Sequence, residues 1–144
     1  MSVTDIVLEE KFIFISLSNQ SDKKMLIEKK IDSSFIQFHF SLKGKSELSF
    51  NDGNYILPVE KMSYLTLYNP EKELPLDITV NPNSSIICVL ISITKFHKLL
   101  SNYHENNTPF LNSENINQKY YKNNDINNGM LVILNEIINK GANN

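Results

Sequence analysis

Arginine is absent from this chain: all 14 basic residues among the 144 are lysine. The guanidinium fork is the side chain best suited to bidentate contact with guanine and phosphate, so the chain lacks the usual means of reading DNA by itself. The net charge of -2 creates no field that would draw in nucleic acid or an anionic membrane. Cysteine occurs once, as Cys88, which rules out an internal disulfide and fits a reducing cytoplasm. With only Gly44, Gly53, Gly129 and Gly141 there is no glycine loop to cradle a phosphate, and neither GxSxG nor HExxH occurs. The N-terminal MSVTDIVLEEKF lacks the basic start and apolar run of a signal peptide. The longest apolar stretch, Ile86 to Ile93, falls far short of the ~20 residues a bilayer-spanning helix needs. A cytoplasmic protein without a membrane partner is expected. The length suits one domain, able to bury about two-thirds of its unfolded surface.

What is present is strand periodicity. In FIQFHFSLKGKSELSFNDGNYIL, from Phe35 to Leu57, the residues Ile36, Phe38, Phe40 and Leu42 alternate with Gln37, His39 and Ser41, the period of a half-buried strand. Lys43-Gly44-Lys45 reverses the chain, and Leu48 and Phe50 alternate with Glu47 and Ser49. Asn51-Asp52-Gly53-Asn54 is a hairpin signal, Tyr55-Ile56-Leu57 returns, and Pro58 is expected to stop it. The stretch reads as an antiparallel meander with one apolar face. Before it, Lys11 to Leu17 is apolar on both faces and therefore expected to be covered on both; Lys23 to Ile31 follows. After it come Lys61 to Tyr68, Leu74 to Val80 with an edge position implied by Pro75, and Ile86 to Ile93, apolar on both faces.

The C-terminal third changes period. Thr94 is a candidate N-cap for a helix carrying Phe96, Leu99, Leu100 and Tyr103 at spacings of three and four. Asn106 to Asn124 is polar and broken by Pro109, and is expected to lie along the surface. Asp125 can cap a last helix from Ile126 to Lys140, with Gly141 as its stop. About eight strands followed by two or three helices result.

The stretches FIQFHFSLKGKSELSFNDGNYILP and SYLTLYNPEKELPLDITVNPNSSIICVLISITKFHKLL resemble the two halves of the cupin-type sensor domain of AraC-family transcription regulators. The match covers roughly half the chain well. The resemblance implies a mainly β, cupin-like jelly-roll barrel over residues 1–93, followed by two or three helices in a dimerisation segment over 94–144. It also implies helix-turn-helix motifs after Asn144, because no recognition-helix pattern is visible before it.

Cupin barrels often hold a metal through two histidines one residue apart, a following glutamate and a distant histidine. Here His39 and Glu47 are present, but the paired position falls on Ser41 or on Phe40 and Leu42, and the second phrase has no histidine. A catalytic metal needs about three protein ligands, so no metal and no cofactor are expected. His39 is instead a residue of the strand's polar face and Glu47 a solvated one. His97 and His104 stand seven residues apart, about 10.5 Å along a helix, too far to chelate one ion. Cys88, on a buried strand, reads as core filler. The aromatic set Phe38, Phe40, Phe50, Tyr55, Tyr64 and Tyr68 either lines a small-ligand cavity or fills the barrel with tyrosines at its rim. In the last helix Ile126, Met130, Ile133, Leu134, Ile137 and Ile138 form an apolar stripe, widened by Leu131. Part of it must cover the barrel; the rest, with Met130, Leu134, Ile137 and Ile138 as its centre, is available to a second copy. The expectation is a non-enzymatic ligand-sensing and dimerisation domain, with an unknown small-molecule effector, a homodimer partner, and DNA bound only through a C-terminal part. The alternative is a small stand-alone cupin enzyme, an isomerase or oxygenase.

Overall fold

A computed structural model describes residues 2–9, 11–31, 34–50, 55–69, 76–100 and 120–142; for 2–9, 97–100, 120 and 137–142 it gives the course of the backbone. The elements are β1 (Ser2–Glu9), β2 (Phe12–Asn19), β3 (Met25–Lys29), β4 (Phe35–Lys43), β5 (Ser46–Phe50), β6 (Tyr55–Val59), β7 (Ser63–Tyr68), β8 (Leu76–Val80), β9 (Ser84–Ser92), α1 (Ile93–Leu100), β10 (Tyr120–Asp125) and α2 (Asn128–Ala142). The fold is mainly β: a jelly-roll barrel of two antiparallel sheets with short C-terminal helices. One sheet has the order β1-β2-β9-β4-β7-β10 and the other β3-β8-β5-β6. The pairs β5 with β6, β4 with β7, β3 with β8 and β2 with β9 nest inside one another. The chain is thus a long hairpin rolled into two layers.

This topology corrects the expected meander. β4 and β5 do not pair; β4 lies between β9 and β7, and β5 between β8 and β6. Gly44, at φ 66°, passes the chain from one sheet to the other. A Cβ there would run into Ser84 Oγ, and that hydroxyl accepts from Lys45 N at 3.1 Å. Pro58 does not stop its strand either. It pairs with Glu47 within β6, the last strand of its sheet, where no further neighbour requires an N–H.

The space between the sheets is filled. Ile15, Leu17, Met25, Leu48, Val59, Leu65, Leu67, Leu76, Ile78, Val80, Ile86 and Leu90 form one buried cluster, with Ile13, Ile27, Phe35, Phe50 and Leu57 packed against it. Burial of such side chains contributes roughly 1.5–3 kcal/mol each. The opposite face of the six-stranded sheet carries two further clusters. Ile36, Tyr68 and Ile91 meet Phe12, Phe38, Ile93 and Phe96; Phe14, Ile87 and Leu134 meet Phe40, Leu42 and Val89. As the two-sided periodicity of β2 and β9 demanded, α1 and α2 supply the outer cover.

Each helix cap differs from the expected one by two positions. Lys95 N donates to Ser92 Oγ at 3.1 Å, so Ser92, not Thr94, caps α1. Met130 N donates to Asn127 Oδ1 at 2.9 Å, so Asn127 caps α2. Asp125 instead ends β10, which pairs with β7 from Tyr120↔Tyr68 to Asp125↔Ser63. The sequence placed this stretch along the surface without assigning it a strand, and the open edge of β7 gives it a ladder to join. α2 continues through Gly141 to Ala142.

Candidate functional site

β4 carries two kinds of surface, and their directions invert a simple reading of its sequence. Its polar residues face the barrel interior: Gln37, His39 and Ser41 are buried to 1 % exposure or less and stand opposite Leu90, Cys88 and Ile86 on β9. Phe38 and Phe40 face outward, toward the helices, while Phe35 at the start of the strand packs on the interior cluster. The register allows this because Ser41 Oγ donates to Gly44 O at 3.0 Å, while His39 is enclosed by partners on both ring nitrogens. His39 Nδ1 lies 3.1 Å from Cys88 Sγ and Nε2 lies 2.9 Å from Gln37 Oε1. A neutral ring satisfies both: Nε2–H donates to the amide oxygen and Nδ1 accepts the thiol hydrogen. Burial holds the imidazole's pKa down to about 3 and pushes the Cys88 thiol up. The chain of groups is therefore uncharged, and Cys88 is a protonated thiol in the core, unsuited to nucleophilic attack.

His39 thus belongs to the polar face of its strand, but that face is the buried one. Glu47 alternates with buried Ser46 and Leu48 on β5 and so lies on the outer face of the other sheet, away from His39. Among the described residues no three His, Cys, Asp or Glu side chains come together as a metal would require. The side chain of His97, and His104 altogether, lie outside the described residues.

The six aromatic residues are divided. Phe50 packs on the interior cluster, and its cross-strand partner Tyr55 is 56 % exposed at the rim. Phe38, Phe40, Tyr64 and Tyr68 stand on the outer face of the six-stranded sheet, so they do not line the lumen. The alternation in β4 and β7 puts them there, because Gln37, His39, Leu65 and Leu67 occupy the inward positions. Three of the four form a row. Phe38 and Phe40 have ring centroids 6.4 Å apart, and Phe40 and Tyr64 4.9 Å. Phe96 from α1 extends the row, 5.7 Å from Phe38. The sequence signal for Phe96 was its place on the helix's apolar stripe; nothing local to it indicated which sheet face it would meet. Tyr68 is buried beside this row with Ile36 and Ile91.

Of the residues expected at a dimer contact, Leu134 is 5 % exposed and packs on Phe14 and Ile87, and Met130 is half-buried. The side chains of Ile137 and Ile138 lie outside the described residues. Outward from α2 project Val132 and Ile133, 57 % and 58 % exposed.

The architecture defines a jelly-roll barrel with helices packed on one sheet. A similar fold is found in ToxT of Vibrio cholerae. The chain is similar to the apo form of a ToxT variant of strain SCE256, at 16 % identity and TM-score 0.56 over 90 % of this chain and 47 % of that one. It matches wild-type ToxT of the same strain with unsaturated fatty acid bound at 16 % identity and TM-score 0.56, over 89 % of this chain and 46 % of that one. ToxT of strain O395 gives 11 % identity and TM-score 0.52, over 92 % and 46 %. At these identities the likeness is one of fold, and the chain spans about half the length of the structures it matches. No protein-family model and no curated protein matches the sequence.

Proposed function

We propose that this chain is the ligand-sensing and self-associating domain of an AraC-type transcription regulator, whose DNA contacts are made by another part of the protein. The observation that carries this reading is the nested-hairpin barrel with short C-terminal helices, whose fold is similar to that of ToxT, itself an AraC-family regulator. The resemblance of the two sequence halves to AraC-type sensors supports it independently. In this reading residues 1–93 are the sensor and 94–144 the dimerisation segment, with β10 tying the second to the first. The domain works in the cytoplasm, requires no cofactor and performs no catalytic step. No helix among the described residues is long and apolar enough to cross a membrane.

ToxT has been solved with an unsaturated fatty acid, and a small, largely apolar effector is the class this chain's apolar surfaces suit. Its binding would favour one packing of the helices over another, a population shift that changes how two DNA-binding parts are presented. Two copies meet through α2, where Val132 and Ile133 face outward. The test is a fusion of this chain to a DNA-binding domain that represses a reporter only as a dimer. Repression that responds to added apolar small molecules is expected. A fusion that represses no better than the DNA-binding domain alone would sink the reading.

A further inference from the structure

The interior of the barrel is occupied by its own side chains, so the place for an effector must be sought elsewhere. The outer face of the six-stranded sheet is different. Its strand register sets Phe14, Val89, Phe38, Thr66 and Lys122 in one transverse row. Ile87, Phe40, Tyr64 and Asn124 form the next. Among the described side chains, the helices meet this face through Ile93 and Phe96 on one cluster and Leu134 on the other. Between those anchors Phe38, Phe40, Leu42, Tyr64 and Val89 are only half-buried. The file of rings Phe96–Phe38–Phe40–Tyr64 runs through this incompletely covered strip and joins the two clusters. Along its β10 flank the same face presents the hydroxyl of buried Thr66, the ammonium of exposed Lys122 and the amide of Asn124.

We infer that this strip is the effector site, and that it takes an amphipathic organic anion. A flat or extended apolar body would lie along the file of rings, and a carboxylate or sulfonate head would reach Lys122. Offset ring stacking favours the apolar body, and a flexible lysine at the edge of an apolar strip serves as a point charge for the head. The location also provides the coupling that sensing requires. Phe38 belongs to the cluster under α1 and Phe40 to the cluster under α2, so one ligand on the file alters the seat of both helices. This rests on the sensing reading above and adds to it the place and the chemistry of the ligand.

The test uses 1-anilinonaphthalene-8-sulfonate and its uncharged parent N-phenyl-1-naphthylamine, whose shared fluorophore isolates the contribution of the anion. The chain contains no tryptophan, so protein emission does not interfere. Each probe should bind the whole folded chain saturably at one site. Phe40→Leu and Tyr64→Leu, which keep apolar volume but remove a ring, should weaken both probes about five-fold. Lys122→Gln should weaken the sulfonate about three-fold and leave the neutral probe unchanged. Leu57→Val, on the inner face of β6, should change neither. Thermal melts followed by circular dichroism show that each variant is folded. Ring variants that bind as the parent does, or a parent that binds neither probe, would overturn the site. Equal effects of Lys122→Gln on both probes would overturn the anion. Weakening by Leu57→Val alone would move the ligand to the barrel interior. The reporter fusion reads the sensing role without these probes, so the site can fail while that role stands.

Discussion

His39 shows how a single residue decides what its strand may do. A histidine shut between two sheets has to be neutral, and Gln37 and Cys88 provide the acceptor and the donor that a neutral ring needs. The cost appears on acidification. In the unfolded chain the ring takes up a proton near pH 6.5, in the folded chain only near 3. Above about pH 6.5 the ring is neutral in both states and its contribution is fully present. Below that value the unfolded state binds more protons, and stability falls by about 1.4 kcal/mol per pH unit until the folded ring also titrates. Urea unfolding of the parent at a series of pH values between 6.5 and 4.5 should show this slope, and His39→Gln should flatten it. Parallel profiles would mean that the imidazole is hydrated in the native state. The period of two in β4 made the facing of Gln37, His39 and Ser41 on one side legible in the sequence. It did not say that this side was the inside, because β4 is enclosed on both faces and either set could have filled the lumen.

Among the elements, the β4–β5 connection and α2 carry the most weight. Gly44 turns the chain between sheets at positive φ, with Ser84 against it. Gly44→Ala should destabilise the protein by at least about 1–2 kcal/mol, the cost of a side chain in a left-handed conformation, before any displacement of Ser84. Denaturant unfolding measures this, and a variant as stable as the parent would show that the turn relaxes freely. For α2 the apolar spacing was readable, but its orientation was not. The stripe spans more of the helix circumference than the barrel can cover, and the sheet selects Leu134 while leaving Ile133 in solvent. Leu134→Ala should therefore cost about 2–4 kcal/mol, as a truncation under a packed cluster does. Ile133→Ala should cost less than about 0.5 kcal/mol in the monomer. Equal losses at the two positions would mean that the helix is rotated in solution.

At the scale of the whole molecule, the two sheets are treated unequally. The six-stranded sheet is roofed by helices, and the outer face of the four-stranded sheet carries Glu28, Asp77, Glu47 and Ser49 with only scattered apolar side chains such as Leu26 and Ile56. The edge of that sheet is protected by Pro58 and needs no partner strand. Among the described residues, Val132 and Ile133 form an exposed apolar pair on the outward side of α2, the surface proposed above for association. Light scattering at high micromolar concentration should give twice the chain mass for the parent, and the single mass for a folded Val132→Lys, Ile133→Lys double variant. A parent that already scatters as a monomer would exclude pairing by this domain alone; a double variant that stays dimeric would place the contact on another surface.

The strand periods, the two-sided burial of β2 and β9 and the change to helical period after β9 were all legible in the chain before it folds. These are local properties, written in spacings of two, three and four residues. Which face of each strand became interior depended on how the two sheets assembled. Likewise, the pairing of β4 with β7 and β9 joins segments far apart in the chain, and no local pattern specifies a partner across such a distance. The aromatic residues of β4 and β7 could therefore be recognised as a set, while their position under the helices, outside the barrel, followed from the register of the assembled sheet.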